Sequence, residues 1–107
     1  MTFNTGAALL DAIVLAVVSQ EDQGTYGYKI TQDVRQVLDV SESTLYPVLR
    51  RLQKDECLEV YDMEYEGRNR RYYKLTEKGN DQLNLYEVEW RNYSAKFIKL
   101  FEGGQSL

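Results

Sequence analysis

The segment Ser43–Lys54, STLYPVLRRLQK, contains no acidic residue, although acids outnumber bases 17 to 13 over the chain. Within it Leu45, Val48, Leu49 and Leu52 recur at the three- and four-residue spacings that gather side chains on one face of a helix. Ser43, Thr44, Tyr46, Pro47, Arg50, Arg51 and Lys54 are left for the opposite surface, with hydroxyls toward its N-terminal end and cations toward its C-terminal end. The apolar face demands a core. The polar face suits the major groove of DNA, where the first residues of a helix reach base edges and cations reach phosphates. A solvated amphipathic helix carries the same division, so the flanking segments have to discriminate.

A chain of 107 residues supports one core and not two. Histidine is absent and Cys57 is the single cysteine. This composition offers no disulfide framework, no multi-cysteine metal site and no histidine general base, so no cofactor is expected. The stretch Ala7–Val18 is apolar except for Asp11. It falls short of the roughly 20 residues of a membrane-spanning helix and follows no cationic signal region. A soluble, cytoplasmic protein without a membrane partner is the expectation. The net charge of −4 argues against a polyanionic partner only if the charge is evenly spread. It is not: Arg68, Arg70, Arg71 and Lys74 form a second basic patch without an acid. Screening at physiological salt limits a patch's influence to about 8 Å, so local sign matters more than the sum.

In chain order, the pattern predicts a largely buried helix over residues 5–19 and a polar loop over 20–24. A second helix follows from Tyr26 to Leu38, with Thr25 as its cap and Ile30, Val34, Val37 and Leu38 on one face. A turn over residues 39–42 leads to the third helix, for which Ser41 and Ser43 are both suitable N-caps. Pro47 removes one helical bond there and predicts a small bend. Two helices joined by a short turn, the second with a polar outer face, make a helix-turn-helix unit. Residues 58–65 and 72–75 are rich in strand formers, with a turn at residues 66–69, so a two-stranded hairpin follows as a wing. Leu58, Val60, Tyr73 and Leu75 are its expected inward contacts, because an isolated hairpin needs helices to pack on. Thr76 caps a last helix that continues to Glu102, where Gly103 and Gly104 end it and leave a tail over 103–107. Along it Leu83, Tyr86, Trp90, Tyr93, Phe97 and Leu100 alternate in steps of three and four, the seam of a coiled coil. A partner subunit is the economical cover for this stripe and for Leu9 and Ile13 on the first helix.

Several segments together resemble the PadR family of winged-helix transcriptional regulators. They are Tyr26–Ile30, Ser43–Leu52, and Gly67 to Gly79, which runs through Arg70-Arg71-Tyr72-Tyr73 and Thr76-Glu77-Lys78. Cys57 departs from the pattern, which has glycine there, and bears on the turn after the third helix. The resemblance implies a mainly α (α+β) fold. Residues 1–79 would form a winged-helix DNA-binding unit and residues 76–102 a dimerisation helix, the whole making one compact unit of the family's smaller branch. It implies operator DNA as partner, met by Ser43, Thr44, Tyr46, Arg50, Arg51 and Lys54 in the major groove and by Arg68, Arg70 and Arg71 at the wing. Tyr46 has a second reading, packing between helix and wing. Strand alternation points Arg70 and Arg71 to opposite faces, so one of the two is expected on DNA. Tyr28 and Lys29 extend the expected contact surface to the backbone. The resemblance also implies a homodimer through Leu9, Ile13, Leu83, Tyr86, Trp90, Tyr93, Phe97 and Leu100. Trp90, with Tyr86, Tyr93 and Phe97, is either dimer core or a stacking site for a flat aromatic effector.

Two function classes follow. The first is a homodimeric repressor that an effector releases from DNA. The alternative is a winged-helix protein-interaction module that never touches DNA, which the overall acidity favours. An enzyme has little support: the chain lacks a phosphate-cradling glycine loop, and Cys57 has only acids as close sequence neighbours.

Overall fold

The computed structural model describes residues 7–105. Helix α1 (Ala7–Ser19) lies at the centre and touches α2 (Gly27–Arg35), α3 (Glu42–Lys54), β3 (Arg68–Leu75) and α4 (Glu77–Gln105). Contact on so many sides accounts for its near-continuous apolar sequence, and Val14, Leu15, Val17 and Val18 are all buried. They join Ile30 and Val34 of α2, Leu45, Val48, Leu49 and Leu52 of α3, and Cys57, Leu58 and Tyr73 in one core. The expected start of the first helix at residues 5–6 lies outside the described residues.

The sheet has three strands where two were expected. Thr25 and Tyr26 form β1 and pair antiparallel with Tyr73 and Tyr72 of β3, giving the order β1-β3-β2, with β2 spanning Leu58–Tyr65. Thr25 is therefore a buried strand residue and not a helix cap. A β-branched and an aromatic residue beside an open strand edge gain ladder bonds there, which outweigh the capping preference. α2 accordingly starts at Gly27, where a side chain would meet the Tyr46 ring at 3.0 Å. It ends at Arg35, short of Leu38, and the Arg35 Nε–H donates to the Val40 carbonyl at 2.9 Å across the turn.

Ser41 takes the cap of α3: its Oγ accepts from the Thr44 N–H at 3.3 Å, and Ser43 lies in the first turn. The lost bond at Pro47 leaves the carbonyl of Ser43, an exposed residue, to solvent. At the other end the Cys57 N–H reaches the Leu52 carbonyl at 2.9 Å and the Glu56 N–H reaches that of Gln53 at 3.0 Å. This is a Schellman closure, and its left-handed residue is Glu56, at φ 65. Cys57 thus adds no backbone strain to the turn, and its side chain fills core.

The wing is tighter and longer than expected. Strands β2 and β3 pair over eight residues from Leu58↔Leu75 to Tyr65↔Arg68, and only Glu66 and Gly67 turn. Both have positive φ, 52 and 77, the conformation of a type I′ hairpin whose twist matches its strands. Arg68 and Asn69 consequently join β3. Leu58 and Tyr73 are buried, and Val60 and Leu75 pack partly against the core, as the alternation predicted.

Thr76 caps α4, accepting from the Gly79 N–H at 2.9 Å, while its own hydroxyl donates to the Glu56 carbonyl at 2.6 Å. One residue therefore starts α4 and ties it to the end of α3. α4 continues through Gly103 and Gly104 to Gln105 and does not stop at Glu102. Both glycines keep helical backbone, so neither forms a left-handed cap.

Candidate nucleic-acid interface

The first turn and outer face of α3 present Ser43, Thr44, Pro47, Arg50 and Lys54 to solvent. Tyr46 is half-buried against Gly27, so its ring is fixed by packing and at the same time walls a cleft. That cleft, about 640 Å³ in volume, opens between α3, the start of α2 and the wing. It is lined by Tyr26, Tyr28, Tyr46, Tyr73, Arg50, Arg70 and Arg71 together with the backbone of Gly27, and no acid is among them. Burial pushes the Tyr73 phenol above its ordinary value.

Arg70 and Arg71 alternate across β3, opposite Met63 and Asp62. Both nonetheless reach the cleft, because β1 pairs only with Tyr72 and Tyr73 and leaves the edge of β3 open beyond them. Alternation therefore does not separate the two arginines. Arg71 lies 3.9 Å from Asp62 in an exposed pair, whereas the Arg70 guanidinium rests 4.3 Å from the Tyr26 ring centroid. Arg68 follows the hairpin turn and is exposed.

Arg51 is tied to α1: its two terminal nitrogens donate to the two carboxylate oxygens of Asp11, each at 2.7 Å, while its side chain stays 44% exposed. The hydrogen bonds it donates to Asp11 hold its pKa above the ordinary value, ahead of the opposing effect of burial. The buried Asp11 draws Arg51 inward because a lone carboxylate in an apolar helix would be costly unpaired. Lys29 is likewise engaged, at 2.9 Å from Glu21 and 3.0 Å from Asp33, and stays out of the cleft. Sequence reading did not place Tyr26 and Tyr73 in this cleft, nor Tyr65 against Arg70. The tyrosine-rich wing was visible, but not which rings share a face with the arginines.

A second surface lies along α1 and α4. Leu9, Ile13, Leu83 and Tyr86 are half-buried around a groove of about 550 Å³ that Trp90 closes at one end. Beyond it Trp90, Tyr93, Phe97 and Leu100 are exposed in a row, the last to 74%. Successive rings stack along the helix, with centroids 6.0 Å apart for Trp90–Tyr93 and 6.5 Å for Tyr93–Phe97. The Tyr86 phenol is pushed up by burial first and then by the charge of Asp11. Among the described residues no helix is long and apolar enough to cross a membrane.

A helix-turn-helix followed by a hairpin packed on it, with a long last helix, defines a winged-helix protein. The chain belongs to the PadR-like family of transcriptional regulators, whose profile matches residues 14–85. The family's members are regulators and not enzymes. The chain is similar to a protein of Streptococcus mutans UA159, with 37% identity, 96% and 95% of the two chains covered and a TM-score of 0.85. A PadR-like transcriptional regulator of Bacillus cereus is similar at 31% identity, over 87% and 91% of the chains, with a TM-score of 0.79. Bacillus subtilis PadR, solved in complex with operator DNA, shares the fold at 20% identity and a TM-score of 0.65, over 75% of this chain and 47% of that one.

Proposed function

We propose that this protein is a cytoplasmic transcriptional repressor that binds operator DNA as a homodimer. The observation that carries the reading is the acid-free cleft in which Arg50 of α3 meets Arg70 and Arg71 of the wing. Two elements that touch DNA in winged helices converge there, and guanidinium groups against a polyphosphate supply most of the non-specific affinity. Ser43 and Thr44 at the start of α3 face base edges, while Lys54 and Arg68 meet phosphates. Tyr46, packed on Gly27, sets the angle between α3 and α2 and offers its ring edge to the groove.

The aromatic row on α4 supports the dimer. Trp90, Tyr93, Phe97 and Leu100 cover their counterparts on a second copy, which also fills the groove beside Leu9, Ile13, Leu83 and Tyr86. A flat aromatic effector stacks on Trp90, with Tyr86, Tyr93 and Phe97 around it, and changes the angle between the two winged helices.

Anisotropy titration of DNA from upstream of its own coding sequence, against a scrambled duplex at physiological salt, tests the reading. Tighter binding to the upstream DNA is expected; equal affinity sinks it. The second reading, a module that binds another protein, is favoured by the net charge of −4. In that case Arg50→Ala and Arg71→Ala weaken a protein complex although the parent has no DNA affinity.

A further inference from the structure

Arg70 differs from the other cationic residues of the cleft in how it is held. Its Cζ lies 4.3 Å from the ring centroid of Tyr26 and 4.4 Å from that of Tyr65. The sheet register explains the coincidence. Arg70 stands opposite Met63, Tyr65 stands opposite Arg68 two residues along, and Tyr26 stands opposite Tyr72, so all share one face. Tyr26 is itself braced edge-on by Tyr72, at 5.7 Å between centroids.

Ring faces attract a guanidinium through their quadrupole and use none of its N–H donors. Those donors remain unspent, since among the described residues none accepts a hydrogen bond from Arg70. Arg51, by contrast, has committed its fork to Asp11. A guanidinium braced by rings, with its donor edge open on an acid-free cleft, is arranged for a bidentate anion such as a phosphodiester.

We infer that Tyr26 and Tyr65 are positioning residues, holding Arg70 so that its free N–H edge meets a DNA phosphate at the wing. Without them a long, freely rotating side chain must be ordered at the moment of binding. With them that ordering is completed on folding. The inference rests on the DNA-binding reading above and adds to it the residues that prepare one of its contacts.

Tyr65 is the residue to vary. It is 48% exposed at a strand end, whereas Tyr26 also flanks α2 and packs on Tyr72. The DNA is a duplex that the full-length protein selects from a random pool. Its affinity is compared for the parent, Tyr65→Leu, Tyr65→Phe, Arg70→Ala and the Tyr65→Leu/Arg70→Ala double variant. Tyr65→Leu is expected to weaken binding by about two- to tenfold, the ordering cost of one long side chain. Tyr65→Phe, which keeps the ring, is expected to match the parent. In the Arg70→Ala background Tyr65→Leu is expected to cost nothing more, an outcome that a merely structural role or a direct Tyr65 contact to DNA would not produce. Additive losses, or an equal loss in Tyr65→Phe, overturn the positioning role while leaving the DNA reading intact. A parent that binds no selected duplex better than a scrambled one overturns both.

Discussion

Asp11 of α1 and Arg51 of α3 are joined by two parallel hydrogen bonds of 2.7 Å across forty residues of sequence. The carboxylate is only 8% exposed and the guanidinium 44%, so the pair sits at the boundary between core and solvent. It fixes the helix that carries the proposed DNA-reading residues onto the helix whose Leu9, Ala12 and Ile13 line the α4 groove. The only charge in the apolar stretch Ala7–Val18 is thus the anchor of α3.

Asp11→Asn should therefore destabilise the fold by about 1–3 kcal/mol, since it breaks a charge-assisted pair whose acid is buried. The half-exposed arginine keeps the figure at the lower end, because solvent screens it. Replacing both partners by apolar residues, Asp11→Leu with Arg51→Met, should restore most of the loss. Urea unfolding measures both, and a single variant as stable as the parent would show that the pair contributes nothing.

Gly79 makes a sharper prediction. A methyl group there would run into the Cys57 carbonyl and stand 2.9 Å from Leu75 Cδ1. Alanine normally stabilises a helix by about 0.5–1 kcal/mol over glycine. Here backbone would have to move, and the two elements are already tied by the Thr76 N–H to Cys57 carbonyl bond at 3.1 Å. Gly79→Ala is expected to cost about 2 kcal/mol or more overall, in the manner of an overpacked core. A rise in melting temperature would contradict the packing described.

Alkaline pH should loosen the core. Burial holds the Cys57 thiol above its ordinary 9.0, and the Tyr73 and Tyr86 phenols above 10.0. In each case the folded chain binds the proton more tightly than the unfolded chain does. The stability these groups contribute is complete below 9.0 and is lost as pH rises through their folded values. The urea midpoint should fall across that window, and Cys57→Ala should remove the earlier part of the fall. A flat midpoint in both proteins would refute this.

Phe97 tests the proposed dimer. It is 48% exposed in the middle of the aromatic row and contributes nothing to the core. Phe97→Glu should raise the dimer dissociation constant by about tenfold or more while leaving thermal stability of the monomer unchanged. Sedimentation velocity reads the outcome, and an unaltered profile would place the interface elsewhere.

What the sequence determined by itself is local and periodic. The buried face of α3, the inward residues of the wing, and the cap of α4 at Thr76 all follow from spacings of two, three or four residues. Such spacings decide which side of an element faces the core before any partner is known. The tertiary structure decided what those elements meet. Thr25 and Tyr26 became a third strand only because the chain returns beside an open edge of β3. Arg51 resembles Arg50 in the sequence, yet one turns to Asp11 and the other to the cleft, because a charged side chain's partner depends on what lies near it in space. The same holds for Arg70 between Tyr26 and Tyr65, and for the glycines at 27 and 79. Their need is set by a ring and a carbonyl supplied from distant segments.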